Sequence, residues 1–406
     1  MYFKFAWRYF KAKKSANAIN IIAWVTTGVI AFATCCQVLV LSVFNGFEGL
    51  VKSLYSTFYS DVKVSPIKGK TFFLTDDKIQ SVKALSFIDY YSFIVEDKAL
   101  LQNDETKTPV IIKGVDSNYK RISGVPQKLT AGVFDMGSVD KPGLVAGYGV
   151  QNASHIVVDS VFAASEVTII LPKKYINSND PLESISEGNA TARGIFAIQQ
   201  EFDNNYVITN IDFVKQQMNL KPNEYSALEI KLKPGANEKE AKEKLQQLLG
   251  KTYLVQTRYE QNTGLYNTMR LEKWAIFAVL TLILVIAAFN MISAVAMLVL
   301  EKKKDISILR SLGSTGGFIQ KIFLSEGLLL GLIGAGIGIF LATAICLLQI
   351  KFHFIKLQGG SFLIDYFPVK LIASDFLLVS CTALFIALAA AWYPSLKASR
   401  QPIELK

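Results

Sequence analysis

The residues closest to a catalytic motif are Gly69, Lys70 and Thr71, which match the end of a phosphate-binding loop. Such a loop also needs a glycine five residues before its second glycine, because its backbone must surround the phosphates closely. The sequence has Val64 at that position, so the triplet predicts a turn rather than an ATP site.

Other catalytic signatures are missing from the sequence. It has no His-Glu-x-x-His, no paired Cys-x-x-Cys and no Gly-x-Ser-x-Gly pattern. The acidic pairs at 76–77, 96–97 and 104–105 stand beside lysines at predicted strand ends and turns, which is typical of solvated charge. The two histidines, and cysteines confined to apolar runs, disfavour a metal site. We therefore expect no catalytic residue, metal or cofactor in this chain.

Four long apolar runs organise the chain. No charged residue occurs in Ser15–Phe47, Trp274–Leu300, Gly327–Ile350 or Phe376–Leu396. Each run exceeds the roughly 20 residues that a helix needs to cross a bilayer. The first run is also longer than the apolar part of a signal peptide, about 7–15 residues, which favours an uncleaved anchor. We predict an α-helical membrane protein with four transmembrane helices, one plus three.

The net charge of +10 does not indicate nucleic-acid binding. Gly46–Arg270 contains 26 basic and 26 acidic residues, and the basic excess flanks the apolar runs at 4–14, 302–321 and 397–406. By the positive-inside rule these three flanks are cytoplasmic. Residues 46–270 therefore lie outside the membrane, and no nucleic-acid partner is expected.

The outer region is long enough to bury a core of its own, and its patterning predicts a large α/β extracytoplasmic domain. The predicted strands are 61–66, 90–101, 109–115, 165–171, 206–210, 225–232 and 253–257, and the predicted helices are 75–85 and 237–249. Two α/β groups thus bracket a middle that is rich in glycine and turn residues. Within this middle, the polar stretch Pro172–Gly194 predicts either a solvated loop or a protruding hairpin that binds a partner.

The segment Glu301–Ser314, between the second and third runs, is the most informative part of the sequence. We predict an amphipathic helix that ends near Gly313, with basic residues mostly on one side. The apolar residues on the other side are Ile306, Ile308, Leu309 and Leu312. Such a helix either rests on lipid headgroups or transmits motion from a cytoplasmic motor.

Two features at the third run concern packing: a carboxylate directly before it and a row of glycines within it. Glu326 stands near its cytoplasmic start, where the side chain could reach the interface, contact Lys302–Lys304 or meet another subunit. Four glycines at spacings of four, three and four predict one helix face that packs closely on another helix. They are Gly327, Gly331, Gly334 and Gly338.

Four segments of the chain carry a family resemblance. They are LSVFNGFE (Leu41–Glu48), LEKWAIFAVLTLILVIAAFNMISAVAMLVLEKKKDISILRSLGS (Leu271–Ser314), IFLSEGLLLGLIGAGIG (Ile322–Gly338) and YPSLKASRQPIE (Tyr393–Glu404). In order and spacing they resemble the permease of a lipoprotein-releasing ABC transporter, the Lol system, within the MacB/FtsX-like superfamily. The resemblance extends over nearly the full length.

The resemblance implies a permease in the bacterial inner membrane that has no ATPase of its own. Two copies of a cytoplasmic ABC ATPase, with ATP and Mg on those subunits, would drive it, and a second permease protomer, the same chain or a related one, would complete the complex. The complex would extract lipoproteins from the outer leaflet, among membrane lipids, and pass them to a periplasmic carrier. Its outer domain would combine porter-like and sabre-like parts.

The resemblance also assigns three groups of residues. The ATPase-coupling residues would be Glu301, Lys302, Asp305, Ile306, Leu309, Arg310, Leu312, Gly313 and Ser314. The lipoprotein-binding residues, lining a lateral opening, would be Val43, Phe44, Phe47, Leu50, Leu265, Met269, Trp274 and Phe277. The carrier-binding loop would contain Pro172, Tyr175, Ile176, Pro181, Leu182 and Ile185.

The sequence and the resemblance together predict a division of the chain. Its parts are a cytoplasmic amino end (1–18), a first span (19–45), a periplasmic domain (46–270), a second span (271–300), a cytoplasmic coupling helix (301–321), a third span (322–350), a periplasmic loop (351–372), a fourth span (373–396) and a cytoplasmic tail (397–406). Within the periplasmic domain, the porter-like part would be 46–115 and 221–270, and the sabre-like insert 116–220.

Two other functions are compatible with this architecture. A MacB-like protein would export peptides or toxins from the periplasm and would dock an outer-membrane duct. An FtsX-like scaffold would activate a cell-wall hydrolase, although such scaffolds generally have much smaller outer domains.

Overall fold

A computed structural model describes residues 17–158, 164–175, 181–357 and 366–401 of the chain. The described residues form two compact units. We call residues 17–50, 267–357 and 366–401 the membrane unit, and residues 51–266 the external unit.

The helices and strands are numbered in chain order. The helices are α1 (Asn17–Phe58), α2 (Asp76–Lys83), α3 (Tyr119–Ile122), α4 (Tyr148–Ser154), α5 (Gln200–Asp203), α6 (Ile211–Gln217), α7 (Glu238–Leu249), α8 (Arg258–Gln261), α9 (Thr263–Glu301), α10 (Lys303–Ser311), α11 (Gly316–Phe352) and α12 (Ala373–Ser399). The strands are β1 (Val62–Pro66), β2 (Phe72–Phe73), β3 (Ile88–Asn103), β4 (Thr106–Val115), β5 (Leu129–Gly132), β6 (Gly143–Gly147), β7 (Glu166–Pro172), β8 (Ile185–Phe196), β9 (Tyr206–Asn210), β10 (Glu224–Tyr225), β11 (Ala227–Leu232) and β12 (Tyr253–Thr257).

Four of these helices, α1, α9, α11 and α12, are long and apolar enough to cross a membrane. They coincide with the four uncharged runs and confirm the predicted one-plus-three class. Helix α1 continues beyond its uncharged run, from Phe47 to Phe58. Helix α9 begins at Thr263, well before its own run.

Small residues allow the helices of the membrane unit to approach closely. A methyl group added at Gly327 or Gly331 would lie 2.4 or 2.5 Å from the Cβ atoms of Ala391 and Ala387 on α12. The same change at Gly338 would place a carbon 2.4 Å from the carbonyl oxygen of Ala31 on α1. Since real Cβ atoms do not pack so tightly, the predicted glycine face lets α11 contact two helices of its own chain.

The external unit is built on one large mixed sheet. Among the described residues the strand order is β12-β1-β11-β3-β4-β9-β6-β8-β5, with β7 pairing β3 and β8. A parallel pairing between β4 and β9 joins the two bracketing α/β groups to the middle of the domain. The segments predicted as porter-like and sabre-like share this sheet, and one core cluster joins Val95 and Ile112 of the first to Leu144 and Val214 of the second.

Three helical segments cover different parts of the sheet. Helix α7 packs Ala241, Leu245 and Leu249 onto β1, β11 and β12. Helix α6 packs Phe213 and Val214 onto the strands of the middle. The end of α1 lies on another cluster through Tyr55 and Phe58.

A buried ion pair lies within the sheet. Lys113 Nζ is 2.8 Å from Glu229 Oε1, and both side chains are 1% exposed. Burial alone would lower the pKa of Lys113, but the attraction of Glu229 and nearby groups outweighs it and raises that pKa. The Nζ atom also lies 4.7 Å from the ring centroid of Phe58, so the pair helps to seat the end of α1.

Most predicted elements of the external unit are confirmed. The Thr75 N-cap precedes α2, and the Asn237 side chain accepts a hydrogen bond from the Lys239 amide at the start of α7. The interpretation of 172–194 as one long solvated loop is wrong, because residues 185–196 form β8, paired along β7. The polar residues at the start of this strand lie at exposed or half-buried positions. The segment therefore lacks the apolar alternation by which a strand is predicted.

Candidate functional site: the coupling helix and the outer end of the membrane unit

The segment Glu301–Ser314 folds as a helix and a turn between two spans. Helix α10 begins after its N-cap Lys302, whose ammonium lies 3.5 Å from the Asp305 carboxylate. Gly313 has a φ of 87°, which a glycine adopts without strain. The Ser314 amide then donates to the Leu309 carbonyl at 3.0 Å and closes the turn before α11.

One side of α10 is fixed to the spans of its own chain. Ile306 is 2% exposed and packs with Val299 on α9, Phe323 on α11 and Ala398 on α12. The Arg310 guanidinium donates a hydrogen bond to the carbonyl oxygen of Ser399. These contacts make α10 a rigid continuation of the bundle.

The other side of α10 exposes apolar residues. Ile308 is 59% exposed and Leu312 is 78% exposed, and Lys304, four residues before Ile308, is also exposed. The three residues form a stripe because side chains four apart lie on one helix face. An exposed apolar stripe of this kind is suited to docking a partner.

The structure divides the single apolar side that was predicted for this helix. Ile306 and Ile308 are two residues apart, or about 200° around a helix, so they cannot share a face. Of the predicted coupling residues, Glu301, Leu312 and Gly313 are exposed, whereas Ile306 belongs to the protein core. The remaining members are partly exposed: Lys302, Asp305, Leu309, Arg310 and Ser314. Ile308 was missing from the predicted coupling residues, although its spacing of four residues from Leu312 places both side chains on one helix face.

At the outer end of the membrane unit, three helices meet in a polar cluster that we call the clasp: Asn45, Lys273 and Asp375. Lys273 Nζ lies 3.0 Å from Asp375 Oδ2 and 2.9 Å from Asn45 Oδ1. The Asn45 amide donates to Asp375 Oδ2 at 2.6 Å. The clasp joins α1, α9 and α12, and sequence reasoning missed it.

The residues predicted to line a lateral opening do not form one uniform surface. Trp274 is 56% exposed, whereas Met269 is 9% exposed. Phe277 packs against the α1 residues around Val38, and Phe47 lies edge-on to Phe367 with ring centroids 5.8 Å apart. Val43, Phe44 and Leu50 are partly exposed on α1, and Leu265 packs within the external unit.

The beginning of the predicted carrier-binding loop is fixed to the external unit. Lys174 forms an ion pair with Glu224, whose carboxylate also accepts a hydrogen bond from Thr71 at 2.5 Å. The Tyr175 hydroxyl donates weakly to the same carboxylate at 3.4 Å. We call these four residues the Glu224 hub.

The other residues of that predicted loop have different settings. Ile185 is 44% exposed and pairs with Pro172 where β8 meets β7. Pro181 and Leu182 lie on a short 3-10 helix, and Ile176 is outside the described residues.

Glu326 does not reach an aqueous surface, which corrects the interpretation that its side chain extends to the interface. Its side chain is 3% exposed, and one carboxylate oxygen has no hydrogen-bond partner among the described residues. The carboxylate interacts electrostatically with Lys302 and Glu301. The two other interpretations, a contact with the Lys302–Lys304 group or with another subunit, stay predictions.

The phosphate-loop candidate is a turn, as predicted. Gly69 has a φ of 85°, and the Lys70 ammonium lies 2.5 Å from the Asp97 carboxylate. The lysine is therefore paired within the external unit.

The chain matches two protein families that together cover most of its length. Residues 23–248 match the MacB-like periplasmic core domain, and residues 277–403 match the FtsX-like permease C-terminal domain. Since the first match alone covers more than half of the sequence, the chain belongs to the MacB/FtsX-like superfamily of ABC transporter permeases.

Its full-length relatives narrow this class to Lol-type permeases. The lipoprotein-releasing system transmembrane protein LolC of Neisseria meningitidis is 27% identical over 98% of this chain and 96% of the relative. The corresponding LolE protein of Haemophilus influenzae is 23% identical over 99% of this chain and 98% of the relative. These matches confirm the resemblance found in the sequence.

A solved structure is also similar to part of the chain. The periplasmic region of MacB from Actinobacillus actinomycetemcomitans is 12% identical, covers 54% of this chain and 98% of that chain, and gives a TM-score of 0.38. The family assignment rests on the sequence matches.

Proposed function

We propose that this chain is the permease subunit of an ATP-driven complex that extracts lipoproteins from the outer leaflet of the bacterial inner membrane. The full-length similarity to lipoprotein-releasing permeases carries the proposal. The complex would hand each lipoprotein to a periplasmic carrier, and its second permease protomer would be the same chain or a relative.

The energy for this work comes from outside the chain. Moving an acyl chain out of a bilayer costs about 0.8 kcal/mol per methylene, so extraction needs an energy source. We propose two copies of a cytoplasmic ABC ATPase, with ATP and Mg bound there, as that source. The stripe of Lys304, Ile308 and Leu312 is the surface we assign to the ATPase, because α10 is otherwise fixed to the spans.

Movement at α10 can reach the spans directly. Ile306 packs against three of them, and Arg310 is bonded to the end of α12. A rigid helix held in this way transmits a displacement rather than absorbing it. The predicted lateral residues that are exposed or partly exposed on α1 and α9, such as Phe44 and Trp274, would then act as an apolar wall for acyl chains.

Affinity purification from the native membrane, followed by mass spectrometry, tests the proposal. We expect an ABC ATPase and acylated lipoprotein peptides to co-purify with the tagged chain. An unrelated four-span membrane protein, tagged in the same way, is the control for lipoproteins carried over with detergent. An ATPase that co-purifies with an outer-membrane duct or a wall hydrolase, and without lipoproteins, would instead support the MacB-like or FtsX-like alternative.

A further inference from the structure

A pocket of about 420 Å³ lies at one end of the external sheet. Its apolar walls include Pro66, Ile67, Phe73 and Tyr253, and Lys68 and Lys251 also line it. Ile67 is 54% exposed and Phe73 is 46% exposed. Adjacent apolar side chains with this exposure are typical of a binding surface rather than of scattered surface residues.

The pocket walls are held in place without a ligand. The Tyr253 hydroxyl donates to the Phe73 carbonyl at 2.9 Å, and the Tyr253 ring lies edge-on to Phe72 with centroids 5.4 Å apart. Phe73 also pairs with Glu224 between β2 and β10. A ligand would therefore meet a preformed shape and lose little affinity to ordering the walls.

The charge around the pocket is positive. Lys68 and Lys251 are exposed, and no Asp or Glu is among the described lining residues. Lys78 Nζ lies 4.5 Å from the Tyr253 ring centroid, and Lys221 Nζ lies 5.7 Å from the Phe73 ring centroid. These four lysines favour a ligand that combines apolar surface with negative charge.

The pocket lies at the end of β1 and β12 that is farther from Phe58 and Thr263. The pocket adjoins Pro66, the last residue of β1. The first residue of that strand, Val62, follows shortly after the end of α1. Five strand residues span about 16 Å. Tyr253, also in the wall, begins the antiparallel strand β12, whose other end leads to α9. Both strands therefore place the pocket away from the ends of the membrane-crossing helices.

A ligand at this pocket must bind through side chains. Strand β12 is at the edge of the sheet, but Gln246 accepts from the Val255 amide at 3.2 Å and donates to the Tyr253 carbonyl at 2.8 Å. Glu260 accepts from the Thr257 amide at 3.0 Å. Because these side chains occupy the edge, an added strand is disfavoured.

We propose that this pocket docks an acidic, apolar peptide segment of a water-soluble periplasmic protein. A bulky apolar side chain of the partner enters between Ile67, Phe73 and Tyr253, and flanking carboxylates pair with Lys68 and Lys251. The surface is an interaction site in its own right and does not depend on lipoprotein release.

Fluorescence anisotropy with the full chain in zwitterionic nanodiscs tests the proposal. The probe is a labelled peptide of Asp and Glu residues around a central Phe-Leu pair, and its comparison is the same peptide with Lys in place of the acids. We expect the acidic peptide to bind at least roughly tenfold more tightly, and more weakly as salt rises.

Variants of the chain locate the binding. Lys68→Glu combined with Lys251→Glu should weaken binding of the acidic peptide by at least roughly tenfold. The same double variant should reduce the preference for the acidic peptide over the basic one. Phe73→Ser should weaken the binding of both peptides. The matched control is Lys107→Glu, an exposed lysine at the start of β4, which should change neither.

Three outcomes would overturn the proposal. The first is equal binding of both peptides, and the second is binding that the double lysine variant leaves unchanged. The third is binding of anionic lipid vesicles, lost in that variant, without binding of the acidic peptide, which would make the pocket a lipid site. The lysine pair is exposed, so this test stands even if Phe73→Ser fails to fold.

Discussion

At the outer end of the membrane unit the polar groups of Asn45, Lys273 and Asp375 bond to one another, whereas at the other end of α9 the helix α10 exposes Ile308 and Leu312. The outer end is closed by contacts within the chain. The inner end leaves an apolar stripe that the described residues do not cover.

Backbone packing strengthens this difference. At the outer end, the Lys370 amide donates to the Ser42 carbonyl at 3.0 Å, and a Cβ added to Gly46 would lie 2.2 Å from the Pro368 carbonyl oxygen. The segment before α12 is therefore packed tightly on α1. The inner end instead has two different faces on one helix, since Ile306 attaches α10 to the spans and Ile308 on the opposite side is exposed. A force applied at the inner end thus acts on a bundle whose outer end is already fixed.

The largest effect is expected from a charge placed in the exposed stripe. Leu312→Asp should weaken docking of the ATPase by roughly thirtyfold, the size expected at an interface hot spot of about 2 kcal/mol, because the carboxylate would be buried in an apolar contact. Leu309→Asp should have a smaller effect, since Leu309 is already partly covered. The measurement is ATPase activity of the reconstituted complex against subunit concentration.

Leu312→Met is the matched control, because it keeps an apolar side chain of similar volume. It should dock normally. If the complex with Leu312→Asp also assembles and hydrolyses ATP normally, the stripe is not the ATPase surface. The inner end would then have no docking role that distinguishes it from the outer end.

An intermediate effect is expected from opening the clasp. Lys273→Ala leaves the Asp375 carboxylate, whose side chain is 14% exposed, without its cation. We expect a loss of about 2 kcal/mol in the free energy of unfolding, since hydrogen bonds to charged groups contribute about that much. Thermal unfolding in detergent, compared with the exposed-site control Lys351→Ala, measures it.

A double-mutant cycle with Asp375→Ala separates the clasp from general damage. If Lys273 and Asp375 act together, the double variant should lose less stability than the two single losses added. Strictly additive losses would show that the two groups do not stabilise the outer end as a pair.

Local signals explain which parts of this molecule were predictable. Uncharged runs predicted the four spans, and the helices predicted to begin at Thr75 and Asn237 begin at the next residues, Asp76 and Glu238. Strand β8 was not predictable, because its first five residues have no buried apolar face. These residues alternate between exposed and half-buried positions, and the strand is formed by its pairing with β7.

The clasp could not be derived from spacing, because its three residues come from distant parts of the chain. Lys273 and Asp375 each stand directly before an uncharged run, which marks a membrane boundary but not a partner. The stripe on α10 was partly predictable, since helix periodicity separates Ile306 from Ile308. Which of the two would face the protein depended on where α12 ends.

The smallest effect is expected at the Glu224 hub, a closed polar cluster in the external unit that resembles the clasp. Burial alone would raise the pKa of Glu224, but its bonds with Lys174, Thr71 and the Lys221 amide outweigh burial and lower it. A carboxyl whose pKa is lower in the folded state stabilises the fold above its unfolded pKa, and this contribution disappears as the pH falls through the folded pKa. Unfolding monitored from neutral to acidic pH should therefore show a loss that Glu224→Gln reduces.

At neutral pH, Glu224→Gln should itself cost about 1.5 kcal/mol, the contribution of a hydrogen bond to a charged group. Glu105→Gln, an exposed carboxyl at the turn between β3 and β4, is the control and should leave the pH profile unchanged. Proteolysis of the segment that begins at Lys174 should become faster in Glu224→Gln alone, because the hub anchors that segment to β2 and β10. An unchanged pH profile and proteolysis rate would mean that β7 and β8 hold the segment without the hub. The outer-end clasp would then be a special case rather than an example of how this chain uses buried charge.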